Sequence, residues 1–256
     1  MKIAISGKGG VGKSTIAAAL SLLIAKRGQK VLAIDADPDA NLAAALGIPL
    51  ETRQKIVPIA EQAALIEERT GAKVKQYGQI FKLNPTVSDI AEKFATVHHN
   101  IALLVLGAIE KGGSGCACPE SVLLKALITD LVLYKEETLI MDMEAGIEHL
   151  GRATARGVDL MLIVVEPGQR SIDTAKRIIG MSQEIGLKNF GWIGNKITCQ
   201  SDEDFIQSAF PNKEPLGFIP FSDSIRTADR QGHSAIDQIQ TDLSDRFNSI
   251  LEKILK

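Results

Sequence analysis

Residues 7–15 of the chain read Gly7-Lys8-Gly9-Gly10-Val11-Gly12-Lys13-Ser14-Thr15. They follow an apolar, strand-like run and open a helix-like run from Ser14 to Arg27. The stretch fits the phosphate-loop pattern G-x-x-x-x-G-K-[ST] and has the strand–loop–helix context that this pattern requires. Glycines let consecutive backbone N–H groups face phosphate oxygens, and the helix N-terminus adds positive potential. The stretch therefore predicts a nucleotide site, and a chance glycine-rich turn is the alternative.

The loop residues divide the expected contacts between side chains and backbone. Lys13 would reach the β- and γ-phosphates, and the Ser14 hydroxyl would complete the shell of a Mg²⁺ ion that keeps several waters. The other contacts to the nucleotide are expected from Gly9, Gly10, Val11, Gly12 and Thr15.

Length and composition limit the possible classes of protein. A chain of 256 residues that is 45% hydrophobic can bury one large core, so we expect a single domain over residues 1–256. The net charge of −2 gives no general attraction for nucleic acid or anionic lipid, and neither is an expected partner. No apolar run approaches the roughly 18 residues that a membrane span needs, and the early phosphate loop leaves no room for a signal peptide. Three cysteines do not suggest a disulfide framework, so a cytoplasmic location is expected.

Acidic residues stand where two predicted strands end. The strand at 30–35 delivers Asp35 and Asp37 to its carboxyl end, where α/β folds place ligands. A carboxylate there could orient a water on the γ-phosphate or hold a Mg²⁺-bound water, and a solvated acidic turn is the alternative. The strand at 138–142 ends in Asp142, the Walker B pattern, which places a carboxylate near the Mg²⁺ shell. Beyond it, the N–H of Gly146 could sense the γ-phosphate.

A glycine-flanked segment carries Cys116 and Cys118 after the predicted strand at 101–106. Two thiolates supply half of a tetrahedral S₄ site for a soft or borderline metal. Cys199 stands far along the chain, so a two-fold dimer in which each subunit gives two cysteines is the economical way to complete the site. A redox pair and two ordinary loop cysteines are the alternatives.

Two later segments bear on the base of the nucleotide. The run Asn195-Lys196-Ile197-Thr198 is similar to the guanine-reading N-K-x-D motif, but Thr198 replaces the carboxylate that guanine requires. An asparagine amide can still read adenine, so ATP is expected rather than GTP. The loop that contains Pro220 is expected to close over the base.

The C-terminal segment repeats apolar residues at helical spacing, from Leu243 to Ile254. Its acidic and basic residues balance, so attraction to anionic lipid is weak, and packing against the domain is favoured over a membrane anchor.

The remaining pattern predicts helices at 58–69, 121–133 and 171–185, and strands at 80–83, 160–166, 190–194 and 216–221. Alternation of helices with buried strands predicts an α/β fold with a doubly wound, mostly parallel sheet and helices on both faces.

Lys8 adds the pattern K-G-G-x-G-K-[ST], the deviant Walker A motif, and with it the chain resembles the MinD/ParA/nitrogenase-iron-protein class of P-loop ATPases. In that class the lysine at the position of Lys8 reaches across a dimer to the partner's nucleotide, and Asp37 falls on the catalytic position of switch I. The resemblance implies dimer-dependent hydrolysis of ATP to ADP, with catalytic roles for Lys8, Lys13, Asp37 and Asp142.

The C-x-C loop and residues 142–150 together resemble the CooC family of nickel-insertion accessory ATPases of carbon monoxide dehydrogenase, a close relative of which serves acetyl-CoA synthase. This resemblance implies a homodimer, formed with ATP or metal, that binds Ni²⁺ or Zn²⁺ at a site shared by Cys116 and Cys118 of both chains. It would assist nickel insertion into a client enzyme. An iron–sulfur electron-transfer ATPase like the nitrogenase iron protein and a positioning ATPase of the MinD/ParA type remain the alternatives. His149 fits either a position near the metal loop or a helix surface.

Overall fold

The computed structural model describes residues 1–74, 76, 78–107, 118–135, 137–147, 150–187, 189–234 and 241–255. Cys116 and His149, and with them most of the predicted metal loop, lie outside the described residues.

The described strands form one sheet. They are β1 (Lys2–Gly7), β2 (Val31–Ala36), β3 (Thr96–His98), β4 (Ile101–Val105), β5 (Thr138–Met143), β6 (Leu160–Val165), β7 (Phe190–Ile197) and β8 (Gly217–Pro220). Their order across the sheet is β3-β4-β2-β5-β1-β6-β7-β8. Neighbouring strands pair in parallel except β3 and β4, which are antiparallel. From β1 the chain fills one side of the sheet through β4, returns to insert β5 between β2 and β1, and then fills the other side with β6, β7 and β8. Because the central strands are parallel, their carboxyl ends meet at one edge.

Helices connect these strands. They are α1 (Lys13–Lys26), α2 (Leu42–Ala45), α3 (Leu50–Arg53), α4 (Ala63–Thr70), α5 (Ile90–Phe94), α6 (Pro119–Tyr134), α7 (Arg152–Ala155), α8 (Gln169–Glu184), α9 (Gln200–Ala209), α10 (Asp223–Gln231) and α11 (Thr241–Ile254), with a 3₁₀ turn at Ile59–Glu61. None of them, within the part of the chain that the structure describes, is both long and apolar enough to cross a membrane.

The sheet separates two apolar cores. Alternate residues of β1 face opposite sides, so Ala4 belongs to the core under α6 and α8, whereas Ile3 and Ile5 belong to the core under α1 and α11. Strand β6 is buried along its whole length, as expected for a strand covered on both faces. The predicted doubly wound, mostly parallel sheet with helices on both faces is confirmed.

The C-terminal helix α11 packs on the sheet. Its apolar residues Leu243, Phe247, Ile250 and Leu251 are each at most 4% exposed and join the core that holds α1. The apolar face that the sequence marked as a possible anchor is therefore covered by the protein itself.

The structure departs from the expected elements at one edge of the sheet. Residues 80–83 form no strand, and Ile80 is 97% exposed. The edge position is taken instead by β3, which reaches β4 through a tight turn at His99 and Asn100, both at positive φ. A hairpin turn with two positive φ angles favours this antiparallel pairing because its twist matches that of the strands.

Strand β7 runs three residues beyond its predicted end at Gly194 and includes Asn195 and Lys196. Its pairing with β8 shifts register between Asn195 and Ile197, and Lys196 has a φ of 60°. An irregularity of this kind redirects side chains, and here it turns Lys196 toward the loop after β1.

Candidate functional site

The loop between β1 and α1 turns on glycines in the left-handed region. Gly10 has a φ of 78° and Gly12, which caps α1, has a φ of 96°. A Cβ atom at Gly12 would overlap the side-chain amide of Asn195. That amide donates to the carbonyl oxygen of Val11 at 2.7 Å, so β7 fixes the loop where it enters the helix. The close approach explains why this position requires glycine.

Lys13 lies at the base of the loop, where its side chain is only 6% exposed. Its Nζ atom is 3.6 Å from Oδ2 of Asp37, which belongs to the turn after β2. The ammonium group at the first turn of α1 and the carboxylate in the turn after β2 thus lie close together, and the action of both on one phosphate stays a prediction.

Asp35 fixes the turn that carries Asp37. Its carboxylate accepts the backbone N–H of Leu42 at 2.9 Å and the backbone N–H of Asp37 at 3.2 Å. Asp37 in turn accepts the N–H of Asp39 at 3.1 Å. The turn is therefore held by carboxylate caps, which position the side chain of Asp37.

Asp142 lies behind the loop and is completely buried. Burial raises its pKa to about 7, although the neighbouring Ser14 hydroxyl and Lys13 charge act in the opposite direction. Ser14 is close enough to affect this pKa, but neither carboxylate oxygen of Asp142 has a hydrogen-bond partner of good geometry among the described residues. A buried, unsatisfied carboxylate beside a serine hydroxyl fits the outer shell of a hydrated Mg²⁺ ion.

A second buried carboxylate stands next to it. Asp35 and Asp142 are register partners in β2 and β5, and Asp35 is also completely buried. Burial raises the pKa of Asp35 to about 7, and the charge of Asp142 contributes to the increase. Burial thus disfavours the ionised form of both groups.

The nucleotide-free protein is expected to lose stability as the pH rises from about 5 to about 8. In the unfolded chain both aspartates titrate near 3.8, whereas in the folded chain their pKa values lie near 7. Between these values the folded state binds more protons, so the free energy of unfolding falls with increasing pH. Thermal unfolding measured across this range tests the prediction.

Asp142→Asn should flatten this pH dependence by more than half, because it removes one titrating group and also one cause of the raised pKa of Asp35. A melting temperature that increases over the same range, or a slope unchanged in Asp142→Asn, contradicts the assignment.

Hydrogen bonds from the end of β1 fix the position of the segment after β5. The hydroxyl of Ser6 donates to the carbonyl oxygens of Glu144 and Gly146, each at 2.9 Å. The N–H of Gly146 donates to the carbonyl of Glu144 at 2.8 Å. This N–H must leave its present acceptor before it can contact a γ-phosphate.

A cleft of about 550 Å³ opens above the loop. It brings together most of the predicted nucleotide ligands, namely Gly9, Gly10, Gly12, Lys13, Ser14, Thr15, Asp37, Asn195, Lys196 and Pro220. Four other predicted residues, Lys8, Val11, Asp142 and Gly146, do not line it. The side chains of Val11 and Asp142 are buried, and the ammonium group of Lys8 contacts Glu166 instead.

The cleft also contains residues that the sequence analysis did not single out. Phe221 follows Pro220 and is 48% exposed, and the guanidinium carbon of Arg226 lies 5.9 Å from its ring centroid. An exposed aromatic ring beside a cation suits a flat, electron-rich base. In the sequence, the aromatic residue directly after Pro220 was the signal that could have identified Phe221 as part of the site.

Lys8 is paired within its own chain. Its Nζ donates to Oε1 of Glu166 at 2.8 Å, and Lys196 lies 3.4 Å from the other oxygen of the same carboxylate. Glu166 was not predicted as a site residue, although its place at the carboxyl end of the predicted strand 160–166 was visible in the sequence.

Cys118 caps the N-terminus of α6. Its sulfur accepts the backbone N–H of Ser121 at 3.4 Å, and the residue is partly exposed. Burial raises the pKa of this thiol. No group of three or more potential metal ligands occurs within the described ranges, and the second predicted ligand, Cys116, lies outside them.

The fold and cleft agree with comparisons to known proteins. Residues 2–235 match the CobQ/CobB/MinD/ParA nucleotide binding domain family. Among solved structures, MinD of Aquifex aeolicus superposes with a TM-score of 0.69 at 23% identity, over 99% of this chain and 96% of that one. A ParA family ATPase of Chlorobium tepidum gives 0.69 at 18% identity, over 100% and 98%. These two similarities concern the fold.

Two sequence relatives are closer. An uncharacterised ATP-binding protein of Methanocaldococcus jannaschii is 49% identical over 228 residues, which are 88% of this chain and 87% of that protein. The carbon monoxide dehydrogenase accessory protein CooC of Rhodospirillum rubrum is 43% identical over 256 residues, which are 100% of this chain and 97% of that protein. The resemblance inferred from the motifs is confirmed: the chain belongs to the CobQ/CobB/MinD/ParA nucleotide-binding family and is a relative of CooC.

Proposed function

We propose that this chain is an ATP-dependent metallochaperone that forms a homodimer, binds a metal ion at paired cysteines and assists nickel insertion into carbon monoxide dehydrogenase or acetyl-CoA synthase. The observation that carries the proposal is the similarity to CooC over the whole chain, which includes the segment with Cys116 and Cys118. We place its action in the cytoplasm, where thiolates stay reduced.

ATP hydrolysis would use the groups that face the cleft. Lys13 and the loop N–H groups bind the β- and γ-phosphates, and Ser14 with Asp142 would hold Mg²⁺, which neutralises the charge that develops on the phosphate oxygens. Asp37 orients the attacking water and is held for this by the turn that Asp35 caps. Asn195 keeps its amide nitrogen on Val11, so its carbonyl oxygen is the group left to accept the adenine amine.

The dimer would connect ATP to the metal. Lys8 of each chain contacts the partner's nucleotide, and the γ-phosphate draws Gly146 from its present acceptor. These contacts favour one arrangement of the two chains and so set the spacing of the four thiolates that bind the metal.

The two alternative functions have less support. A nitrogenase-like electron carrier takes its cluster ligands from two separate loops, whereas here both cysteines lie on one loop. A positioning ATPase with a membrane tail would need a free amphipathic helix, and the apolar face of α11 is buried.

Metal stoichiometry tests the proposal. If Cys116 and Cys118 give two ligands per chain to a shared site, equilibrium dialysis should find about one Ni²⁺ or Zn²⁺ per two chains. Binding should weaken at low pH because the thiols must first lose their protons. ATP and metal should change each other's affinity by the same factor.

The double variant Cys116→Ser with Cys118→Ser should lose the metal and the metal-driven dimer but keep ATP binding. Cys199→Ser is the matched control, because this exposed cysteine directly precedes α9, away from the C-x-C pair in the sequence, and its substitution should leave the stoichiometry unchanged. A stoichiometry of one metal per chain that survives the double substitution would rule out the shared site.

A further inference from the structure

The carboxylate of Glu166 contacts two lysines, Lys8 of the phosphate loop and Lys196 of β7. Glu166 follows β6, in which Val164 is the register partner of Gly7, so it lies beside the start of the loop. Its two oxygens contact Lys8 at 2.8 Å and Lys196 at 3.4 Å. Lys196 also donates to the carbonyl of Gly10 at 2.5 Å. The loop is thus tied to Glu166 directly through Lys8 and indirectly through Lys196.

The position of Glu166 is fixed by the start of α8. Its N–H donates to the hydroxyl of Ser171 at 3.1 Å, and its carbonyl accepts the N–H of Gly168 at 2.8 Å. Burial raises the pKa of its carboxyl, but the hydrogen bond from Lys8 and the charges of both lysines outweigh burial and leave this pKa below its usual range. Glu166 is therefore ionised at neutral pH and forms a charge-assisted contact with Lys8.

This contact competes with a role for Lys8 in the dimer, because Glu166 and a partner's phosphates would each draw the same ammonium group toward a different anion. We propose that Glu166 holds Lys8 within its own chain in the nucleotide-free protein and releases it when ATP brings two chains together, so that the Lys8–Glu166 pair opposes dimer formation. The inference rests on the proposed function, which sends Lys8 to the partner's nucleotide.

Three features make the release feasible. The side chain of Lys8 is 37% exposed, so it can leave Glu166 without unpacking the core. Lys196 remains beside Glu166 after Lys8 departs, so the partly buried carboxylate keeps a cation. The phosphates of the partner's ATP carry more negative charge than one carboxylate and therefore compete for Lys8.

Glu166→Gln tests the proposal, because it keeps the shape of the side chain and removes its charge. Partly exposed ion pairs alter an equilibrium by up to about fivefold, and each dimer releases two Lys8 side chains. We therefore expect the dimer that forms with a non-hydrolysable ATP analogue to bind between about twofold and about thirtyfold more tightly, as measured by sedimentation. Glu184→Gln, at the other end of α8, makes the same charge change and should have no effect.

The effect must also act through Lys8. Lys8→Ala should form no ATP-dependent dimer, and the addition of Glu166→Gln to Lys8→Ala should not restore one. In the nucleotide-free chain, labelling of Lys8 with an amine-reactive ester, quantified by mass spectrometry, should increase by about two- to fivefold in Glu166→Gln. A dimer that is weaker or unchanged in Glu166→Gln, or strengthened equally without Lys8, overturns the proposal.

Failure of the proposed function gives a different result. If Lys8→Ala alone dimerises as the wild type does, Lys8 has no cross-subunit role. The labelling experiment then decides separately whether Glu166 binds Lys8 in the nucleotide-free chain. If labelling of Lys8 is unchanged in Glu166→Gln, the proposed contact between Glu166 and Lys8 is refuted as well.

Discussion

Asp37→Asn is expected to bind ATP with nearly wild-type affinity and to lower turnover by about 10²- to 10⁴-fold. The asparagine side chain can still accept the N–H of Asp39, so the turn keeps its shape. It cannot orient and activate a water as a carboxylate does, so the loss falls on kcat rather than on binding. The variant should accumulate as an ATP-bound dimer, which steady-state kinetics and sedimentation would detect together.

Asp39→Asn is the matched control for this prediction. Asp39 lies in the same turn and lines the same cleft, but Asp37, and not Asp39, lies 3.6 Å from Nζ of Lys13. The control should therefore retain most of the activity. Wild-type turnover in Asp37→Asn would remove Asp37 from the catalytic role.

The sequence was sufficient for features that depend on local pattern. The phosphate loop, its flanking strand and α1 can be predicted from nine consecutive residues and their neighbours. The spacing of the glycines and the lysine in this motif is typical of a loop that binds phosphate. Buried parallel strands such as β6 are nearly continuous apolar runs, and such runs are visible without knowledge of their partners.

Other features arise from contacts between distant residues and could not be predicted in this way. Lys8 and Glu166 are separated by 158 positions and meet only because β1 and β6 are neighbours in the sheet. The turn of Lys196 toward the loop depends on a register shift against β8. Strand β3 is three residues long, too short for alternation to distinguish it from a loop.

The burial of charge at the site is also a tertiary property. The sequence placed Asp35 and Asp142 at the ends of two strands, but burial in the folded chain is the main reason why both pKa values rise to about 7, and the charge of Asp142 adds to the rise at its neighbour Asp35. A carboxylate pair of this kind disfavours its own ionisation, and a divalent cation reverses that preference.

The two loop lysines are expected to fail in different ways when each is replaced by alanine. Lys13 is buried at the base of the cleft, where we propose that the phosphates bind, so Lys13→Ala should remove a charge-assisted contact to them. Its loss also removes a cation that lowers the pKa of Asp142, which disfavours the ionised form that Mg²⁺ needs. Affinity for ATP should fall by at least about 100-fold, as measured by equilibrium binding.

Lys8→Ala should instead bind ATP as a monomer with affinity close to that of the wild type, because Lys8 does not line the cleft. It should fail to form the ATP-dependent dimer and should hydrolyse ATP poorly, since its expected target is the partner's nucleotide. Sedimentation with and without a non-hydrolysable analogue separates the two variants: Lys13→Ala stays monomeric because it lacks nucleotide, and Lys8→Ala stays monomeric with nucleotide bound. If Lys8→Ala loses ATP affinity as strongly as Lys13→Ala does, Lys8 acts within its own chain and the cross-subunit assignment is wrong.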